Sequence, residues 1–279
     1  MRWINKRNKK HRKKGHAIVN KFLRNGWNKD YGKYVNSSYS DLQREGKIAR
    51  LLLREQEGLC CYCMRHISYK NHTTIEHVLP RKTAGNDYSS ISYYLNSARF
   101  MKRYVRWSEE PPKKRVHVPP YPHYCAYENL VISCDGSIVD INKPEVRFPS
   151  NLHNTCNNIR QSKKIVPIFY NSHAKDVISY ESDGELTYDE DLYKETIDAI
   201  NLEYPTLKLM RRAWADICLR NTPEDVKRAQ KDVAFRQEII DETNLNVFDS
   251  YLMSLPNIWN LLFEYRWFYT YFREKFSKS

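Results

Sequence analysis

The sequence predicts an α+β fold, in which a small β-containing region precedes a mostly helical C-terminal region. A C-x-x-C pair, Cys60 and Cys63, comes shortly before a β-branched segment that ends ahead of Pro80, a residue that terminates strands. Apolar residues alternate on both sides of Asp183-Gly184, which is typical of a β-hairpin. From Asp189 onward the apolar residues recur at helical spacing. We therefore expect three parts: a basic tail and helix (1–57), a domain with two inserts (58–188) and a helical domain (189–279).

The composition favours a polyanionic partner. The 279 residues are 41% hydrophobic, which is enough for a core, and carry a formal net charge of +13. Because phosphate contacts supply much of nucleic-acid affinity, nucleic acid is the expected partner; a basic surface that only keeps the protein soluble is the alternative.

The cysteines and the charged N-terminus indicate a reducing compartment. The chain has seven cysteines, an odd number, and its N-terminus is too charged for the apolar region of a signal peptide. We expect a cytoplasmic protein whose thiolates bind metal rather than form disulfides. No stretch has the length and apolar character of a membrane span, so no membrane partner is expected.

The N-terminal part combines a basic run with a predicted helix. Residues 1–14 contain eight Lys or Arg and no acid. They are predicted to be either a solvated tail or a segment that grips phosphates. Ile18 to Leu23 could open a helix, and Asp41 to Glu57 is predicted to be helical, with Gly58 as its stop.

Two inserts interrupt the middle of the chain. The first contains basic residues that share one helical face and lie among aromatics, which suits contact with a nucleic-acid backbone. These residues are Arg99, Lys102, Arg103 and Arg106. The alternative is an amphipathic helix whose aromatics lie in a core. The second insert, with Asp135-Gly136 as a turn, separates Cys134 from Cys156.

The C-terminal part is predicted to consist of packed helices. Thr222, followed by Pro223 and two acids, is a strong helix start. Ser254 to Phe276 is predicted to be one helix that is apolar nearly all round, and hence buried in this chain or against a partner.

The doublet Glu76-His77 carries residue types suited to metal-assisted hydrolysis. A carboxylate is a hard oxygen ligand for a divalent cation, and a neighbouring histidine can accept a proton near neutral pH. The segment Ile75-Glu76-His77-x-x-Pro80-Arg81-Lys82 follows the C-x-x-C pair, and Asn129-Leu130, Cys134 and Cys156-Asn157 come later. This order resembles the HNH nucleases of the ββα-metal type over roughly residues 57 to 164. The resemblance implies an HNH nuclease domain with a zinc knuckle within residues 58–188.

The resemblance also implies two metal sites. A structural Zn²⁺ would be held by Cys60, Cys63, Cys134 and Cys156, and Cys61 and Cys125 are the closest alternatives. Cys218 is expected to be a core residue.

At the catalytic site, His77 would be the general base, Glu76 and Asn157 would hold one Mg²⁺ or Mn²⁺, and Asn129 would fix the loop that orients His77. Asn158 and His153 are alternatives to Asn157. The expected nucleic-acid contacts near this site are Arg81, Lys82, Arg160, Lys163 and Lys164, the last three on one helix.

A narrower resemblance is to the PtuB type, the HNH subunits of Septu and some retron anti-phage systems. It implies a partner, an SMC-like or ABC-like ATPase of the PtuA kind. The chain itself has no Walker motif, so any ATP use would come from another chain. Two alternatives remain open at this point: a stand-alone restriction or mobile-element HNH nuclease, and a zinc-stabilised nucleic-acid-binding module without catalysis.

Overall fold

A computed structural model of the chain describes residues 1–28, 33–34, 39–44, 46–69, 73–80, 125–136, 139–140, 143–147, 155–242 and 258–278. The arrangement is α+β, as the sequence predicts, and its strands form two-stranded antiparallel sheets. The strands are β1 (Trp27–Asn28), β2 (Lys33–Tyr34), β3 (Thr73–His77), β4 (Leu130–Cys134), β5 (Val139–Asp140), β6 (Lys143–Arg147), β7 (Ile178–Tyr180) and β8 (Leu186–Tyr188).

The α-helices are α1 (Lys9–Gly26), α2 (Tyr39–Arg44), α3 (Lys47–Glu55), α4 (Cys156–Arg160), α5 (Ala174–Val177), α6 (Glu190–Ile200), α7 (Pro205–Arg220), α8 (Pro223–Ala229), α9 (Val233–Glu242), α10 (Ile258–Glu264) and α11 (Trp267–Phe276). Short 3₁₀ turns lie at Tyr127–Asn129 and Ile168–Tyr170. Among the described helices, none combines the length and apolar composition that crossing a membrane requires.

The N-terminal run is part of the fold rather than a solvated tail. Met1 and Ile4 are buried, and the Ile4 amide donates to the Phe169 carbonyl at 2.6 Å. Lys6 forms a buried ion pair with Glu55 (Nζ–Oε2 2.6 Å). The helix predicted to open at Ile18 begins nine residues earlier, at Lys9.

The single helix predicted for 41–57 is interrupted at Gly46. This residue has a left-handed φ of 64°, and a Cβ there would collide with the Tyr69 hydroxyl. The chain therefore forms α2 and α3 as separate helices. The helix ends close to the predicted stop: α3 ends at Glu55, and Glu57 already takes a left-handed φ of 53°. Gly58 follows with a φ of 71°, and its amide donates to the Leu53 carbonyl at 2.8 Å.

The antiparallel pair β3–β4 sets the positions of the predicted site residues. His77 pairs with Leu130 at one end of the ladder, and Thr73 pairs with Cys134 at the other. Asn129 immediately precedes β4, and α4 packs against that strand. The doublet and Asn129 thus share one end of the pair, whereas Cys134 lies at the opposite end.

The predicted hairpin and the predicted helix start are both present. Strands β7 and β8 pair antiparallel around Gly184, whose φ is 89°. Thr222 caps α8 in a reciprocal capping box with Asp225.

The last predicted helix is split into α10 and α11 by long-range contacts. The Leu262 carbonyl accepts from the indole N–H of Trp214 at 2.8 Å, and the Glu264 carbonyl accepts from the His66 amide at 2.7 Å. Two carbonyls at the break therefore accept bonds from other segments. The apolar residues around the break, among them Phe268 and Phe272, are buried within this chain.

Candidate metal centre and catalytic loop

A tight turn presents Cys60 and Cys63 to the protein interior. The Cys60 amide donates to the Arg65 carbonyl at 2.8 Å, and Leu59 forms a β-bridge with His66. Met64 takes a left-handed φ of 62°, which closes the turn. Both thiols are consequently held on the inner side of one loop.

Four cysteine sulfurs converge, as the sequence predicts. The Sγ atoms of Cys60, Cys63, Cys134 and Cys156 all lie within 4.8 Å of one another, and all four residues are buried. Two of the separations are 4.0 Å (Cys60–Cys156) and 3.6 Å (Cys63–Cys134). In a tetrahedral site with Zn–S bonds of about 2.3 Å, the sulfurs lie about 3.8 Å apart. The cluster therefore has the spacing needed to hold a metal such as zinc.

Gly136 allows the two distant cysteines to meet across the second insert. Its φ is 76°, and a Cβ there would collide with the Thr155 carbonyl. The backbone just after Cys134 can therefore pass close to the residue that precedes Cys156.

The hydrogen bonds around the cluster favour negative charge on sulfur. The amides of Tyr62 and Cys134 donate to the Cys60 sulfur at 3.5 and 3.2 Å. Although burial opposes ionisation, hydrogen bonds from the Cys134 and Cys156 thiols hold the pKa of Cys60 well below its ordinary value. Burial and the neighbouring thiols raise the pKa of Cys156 well above its ordinary value. Ionising all four thiols in so small a volume requires a cation among them.

The remaining cysteines lie outside the cluster. Cys61 donates its amide to the Ile132 carbonyl at 3.0 Å, and burial raises the pKa of its thiol. Cys125 and Cys218 are buried in the core, as predicted for Cys218. Sequence patterns missed Tyr265, whose hydroxyl lies 3.9 Å from the Cys63 sulfur, because the break between α10 and α11 brings it there.

Glu76 and His77 lie at the end of β3, only 6% and 7% exposed. Glu76 accepts from Arg160 through Oε1 at 2.6 Å, while its buried Oε2 has no hydrogen-bond partner among the described residues. Burial raises the pKa of Glu76 to about 7, although the nearby Arg160 charge opposes the shift. A buried carboxylate oxygen without a donor is suited to a cation.

Asn129 holds the loop that follows His77. Its Oδ1 accepts from the Leu79 amide at 2.7 Å, and its Nδ2 donates to the Leu79 carbonyl at 3.1 Å. Its own carbonyl accepts from the Val78 amide at 2.9 Å. The side chain and backbone of Asn129 therefore fix the two residues after His77, the kind of contact that the sequence suggested.

The prediction that Arg160 contacts nucleic acid is wrong. Its side chain is fully buried, and it donates to the Tyr62 hydroxyl (3.1 Å) and to the carbonyls of His77 (2.6 Å) and Val78 (2.7 Å), besides Glu76. A guanidinium enclosed by these acceptors cannot reach a phosphate at the surface. Arg160 instead connects the turn between Cys60 and Cys63 to the loop around His77. The spacing of basic residues in the sequence is the same for an internal arginine as for one that binds phosphate, so it could not reveal this role.

The residues around Arg160 are also placed differently from the prediction. Helix α4 ends at Arg160, and Gln161 takes a left-handed φ of 50°, so Lys163 and Lys164 lie beyond the helix, where both are exposed. Asn157 is half-buried one turn before Arg160, and Asn158 is exposed. Several predicted site residues lie outside the described residues: Arg81, Lys82, Arg99, Lys102, Arg103, Arg106 and His153.

In comparisons with known proteins, no family model, no curated protein and no solved structure matches this chain. Any function assigned to it therefore depends on the chemistry and geometry of its own residues.

Proposed function

We propose that the chain is a metal-dependent endonuclease of the HNH, ββα-metal type. The observation that carries this proposal is the arrangement around His77. A Glu-His doublet ends one strand, and Asn129, just before the facing strand, holds the residues that follow the doublet. Helix α4 packs alongside. These parts come in the order that the HNH resemblance implies. Their combination supports the assignment more strongly than any one of them alone.

A structural Zn²⁺ is the proposed occupant of the four-cysteine cluster. Four sulfur ligands close a tetrahedral site and leave no position for substrate, so this ion would join segments rather than take part in the reaction. The test is metal analysis of Cys60→Ser, with Cys61→Ser as the control. Both residues are buried cysteines that receive the same substitution, but only Cys60 belongs to the cluster. We expect about one zinc per chain in the wild type and in Cys61→Ser, and loss of zinc in Cys60→Ser. Equal zinc in the two variants would contradict the assignment.

The proposed catalytic site uses Glu76 and Asn157 to hold Mg²⁺ or Mn²⁺. The bound ion would neutralise charge that develops on the phosphate. His77 accepts a proton from the attacking water as the oxygen–phosphorus bond forms. The bond from phosphorus to the leaving oxygen breaks, and that oxygen takes a proton from solvent. Asn129 keeps the loop around His77 in place, and Lys163 and Lys164, both exposed, would contact phosphates beside the site.

Cleavage of plasmid DNA and of RNA in Mg²⁺ or Mn²⁺ tests the nuclease assignment. His77→Ala should abolish cleavage, whereas His173→Ala, at a side chain 78% exposed, should not. Cleavage that survives His77→Ala would overturn the catalytic role of His77.

A non-catalytic, zinc-stabilised nucleic-acid-binding module is the second candidate. The ion pair between Glu76 and Arg160 favours it, because one carboxylate oxygen of the doublet is already engaged. Nucleic-acid binding without any divalent-dependent cleavage by the wild type would support this module.

The narrower proposal is that the nuclease works with a separate ATPase subunit, as the PtuB-type resemblance implies. The nuclease assay with and without the neighbouring gene's product tests it. We expect an ATPase to co-purify and to alter cleavage. A stand-alone nuclease would cleave equally well without it.

A further inference from the structure

Helix α1 presents a dense basic surface that has no acidic partner on its own segment. Residues 1–28 contain no Asp or Glu. The exposed lysines of its first two turns form no ion pair with any described residue. They are Lys9, Lys10, Lys13 and Lys14.

This arrangement is electrostatically unfavourable for an isolated helix. The positive end of the helix dipole lies where Lys9 and Lys10 are placed, and cations are unfavourable at that end. Lys9 with Lys13 and Lys10 with Lys14 are also like-charge pairs four residues apart. Asn8 satisfies part of this end, since its Oδ1 accepts from the amides of Lys10 and His11. An external anion would relieve the remaining repulsion.

Tertiary contacts fix α1 beside the loop around His77. A Cβ on Gly15 would collide with the Tyr127 ring, so the helix backbone and that ring are in close contact. His16 contacts Glu128 (Nε2···Oε1 2.6 Å). Tyr127 and Glu128 belong to the same 3₁₀ turn as Asn129, which binds Leu79.

The basic surface is therefore held close to the proposed site by consecutive residues of one turn. At 1.5 Å per residue, the four lysines lie within about 9 Å of the Gly15 contact along the helix axis. The buried ion pair between Lys6, three residues before α1, and Glu55 also fixes the segment that leads into the helix, which leaves the helix little freedom to swing away.

We propose that the exposed face of α1 binds the phosphodiester backbone of the nucleic acid and positions a strand at the loop around His77. This inference rests on the proposed nuclease function, to which it adds the substrate-binding surface. The ligand chemistry is the phosphate backbone shared by DNA and RNA. Lysines act on it as point charges and read no sequence.

Binding measured without cleavage tests the inference. In a His77→Ala background, fluorescence anisotropy measures the affinity for labelled single- and double-stranded DNA and RNA. The salt concentration is varied from about 50 to about 300 mM, because affinity that comes from phosphate contacts falls over this range. The test variant replaces Lys9, Lys10, Lys13 and Lys14 by Gln, which keeps helix propensity. The control replaces Lys208, Lys227, Lys231 and Lys278 by Gln, which removes the same charge from the helical C-terminal region.

The α1 variant should bind roughly tenfold or more weakly, and the slope of log K against log salt should fall by about 2 to 4. The control should retain most of the affinity. Circular dichroism and zinc content should be unchanged in both variants. The nucleic acid that loses most affinity identifies the preferred substrate.

Equal losses in the two variants would show that net charge alone matters and would overturn the inference. It would also be overturned if the α1 variant lost no affinity, or if His77→Ala with its lysines intact bound no nucleic acid. The same holds if the α1 variant bound nucleic acid normally and lost only a co-purifying protein. The two proposals fail separately. Binding that depends on α1 without cleavage by the wild type removes the nuclease function alone, and cleavage with binding independent of α1 removes this inference alone.

Discussion

Replacing the buried Arg160 by methionine should destabilise the protein strongly. Arg160 is fully buried, and Glu76, its partner at 2.6 Å, is 6% exposed. Removing one partner of a buried ion pair costs about 3 to 5 kcal/mol, because the remaining charge is left without compensation. The carbonyls of His77 and Val78 also lose a charged donor. Arg160→Lys keeps the charge but cannot serve four acceptors, so we expect a smaller loss of about 1 to 3 kcal/mol.

A double-mutant cycle separates the ion pair from these other contacts. The free energy of unfolding is measured in urea with excess zinc for the wild type, Arg160→Met, Glu76→Gln and the double variant. A pH near 8 keeps the carboxyl ionised in the fold, since burial raises the pKa of Glu76 to about 7. The double variant should be less destabilised than the sum of the single variants, by about 1.5 kcal/mol or more. A loss below about 1 kcal/mol for Arg160→Met, or strict additivity, would refute the central role of Arg160.

Three further changes test other parts of the structure. Asn129→Asp should lower cleavage at least tenfold at unchanged zinc content, because a carboxylate accepts from the Leu79 amide but repels its carbonyl; normal activity would exclude the positioning role. Gly15→Ala should lower the urea midpoint of unfolding, because the added methyl group clashes with the Tyr127 ring. Helix propensity alone predicts the opposite, a stabilisation of about 1 kcal/mol, so a raised midpoint would exclude the close contact between α1 and Tyr127. Burial lowers the pKa of His66 to about 4. Only the unfolded state therefore takes up this proton between about pH 6.5 and 4, and stability should fall over that range as pH is lowered. In His66→Gln this part of the pH dependence should be absent. The check is the free energy of unfolding in urea, measured between about pH 6.5 and 4 for the wild type and for His66→Gln.

Local signals in the sequence predicted the elements whose cause is local. Gly58 takes a left-handed φ just after the end of α3, and Thr222 starts α8 through its own side chain. The convergence of the four cysteines is a long-range event, but the order of the motifs implied it, and the cluster is present. What the spacing could not reveal is how Cys134 and Cys156 meet across the insert, which depends on the close backbone approach at Gly136.

The predictions that failed concern residues whose partners are far away in the chain. The break in the last helix arises where carbonyls accept from Trp214 and His66, and neither contact leaves a pattern within 254–276 itself. Arg160 has the same spacing as a phosphate-binding residue on a helix, and only its burial distinguishes it. The start of α1 was missed because its lysines are typical of a tail, whereas its anchoring contacts belong to other segments.

The short helix α4 joins the two halves of the proposed site. Cys156, at its first position, belongs to the sulfur cluster, and Arg160, at its last, holds Glu76 and the loop after His77. Five helical residues span only about 7 Å, so a displacement at one end is transmitted to the other. Tyr62, between Cys60 and Cys63, accepts from the same guanidinium. The cluster and the loop are therefore linked along two routes, and a metal that fixes the four sulfurs also fixes the position of Arg160. The buried arginine thus makes the geometry around Glu76 and His77 dependent on the cysteine cluster, although no cysteine lies in the loop that follows His77.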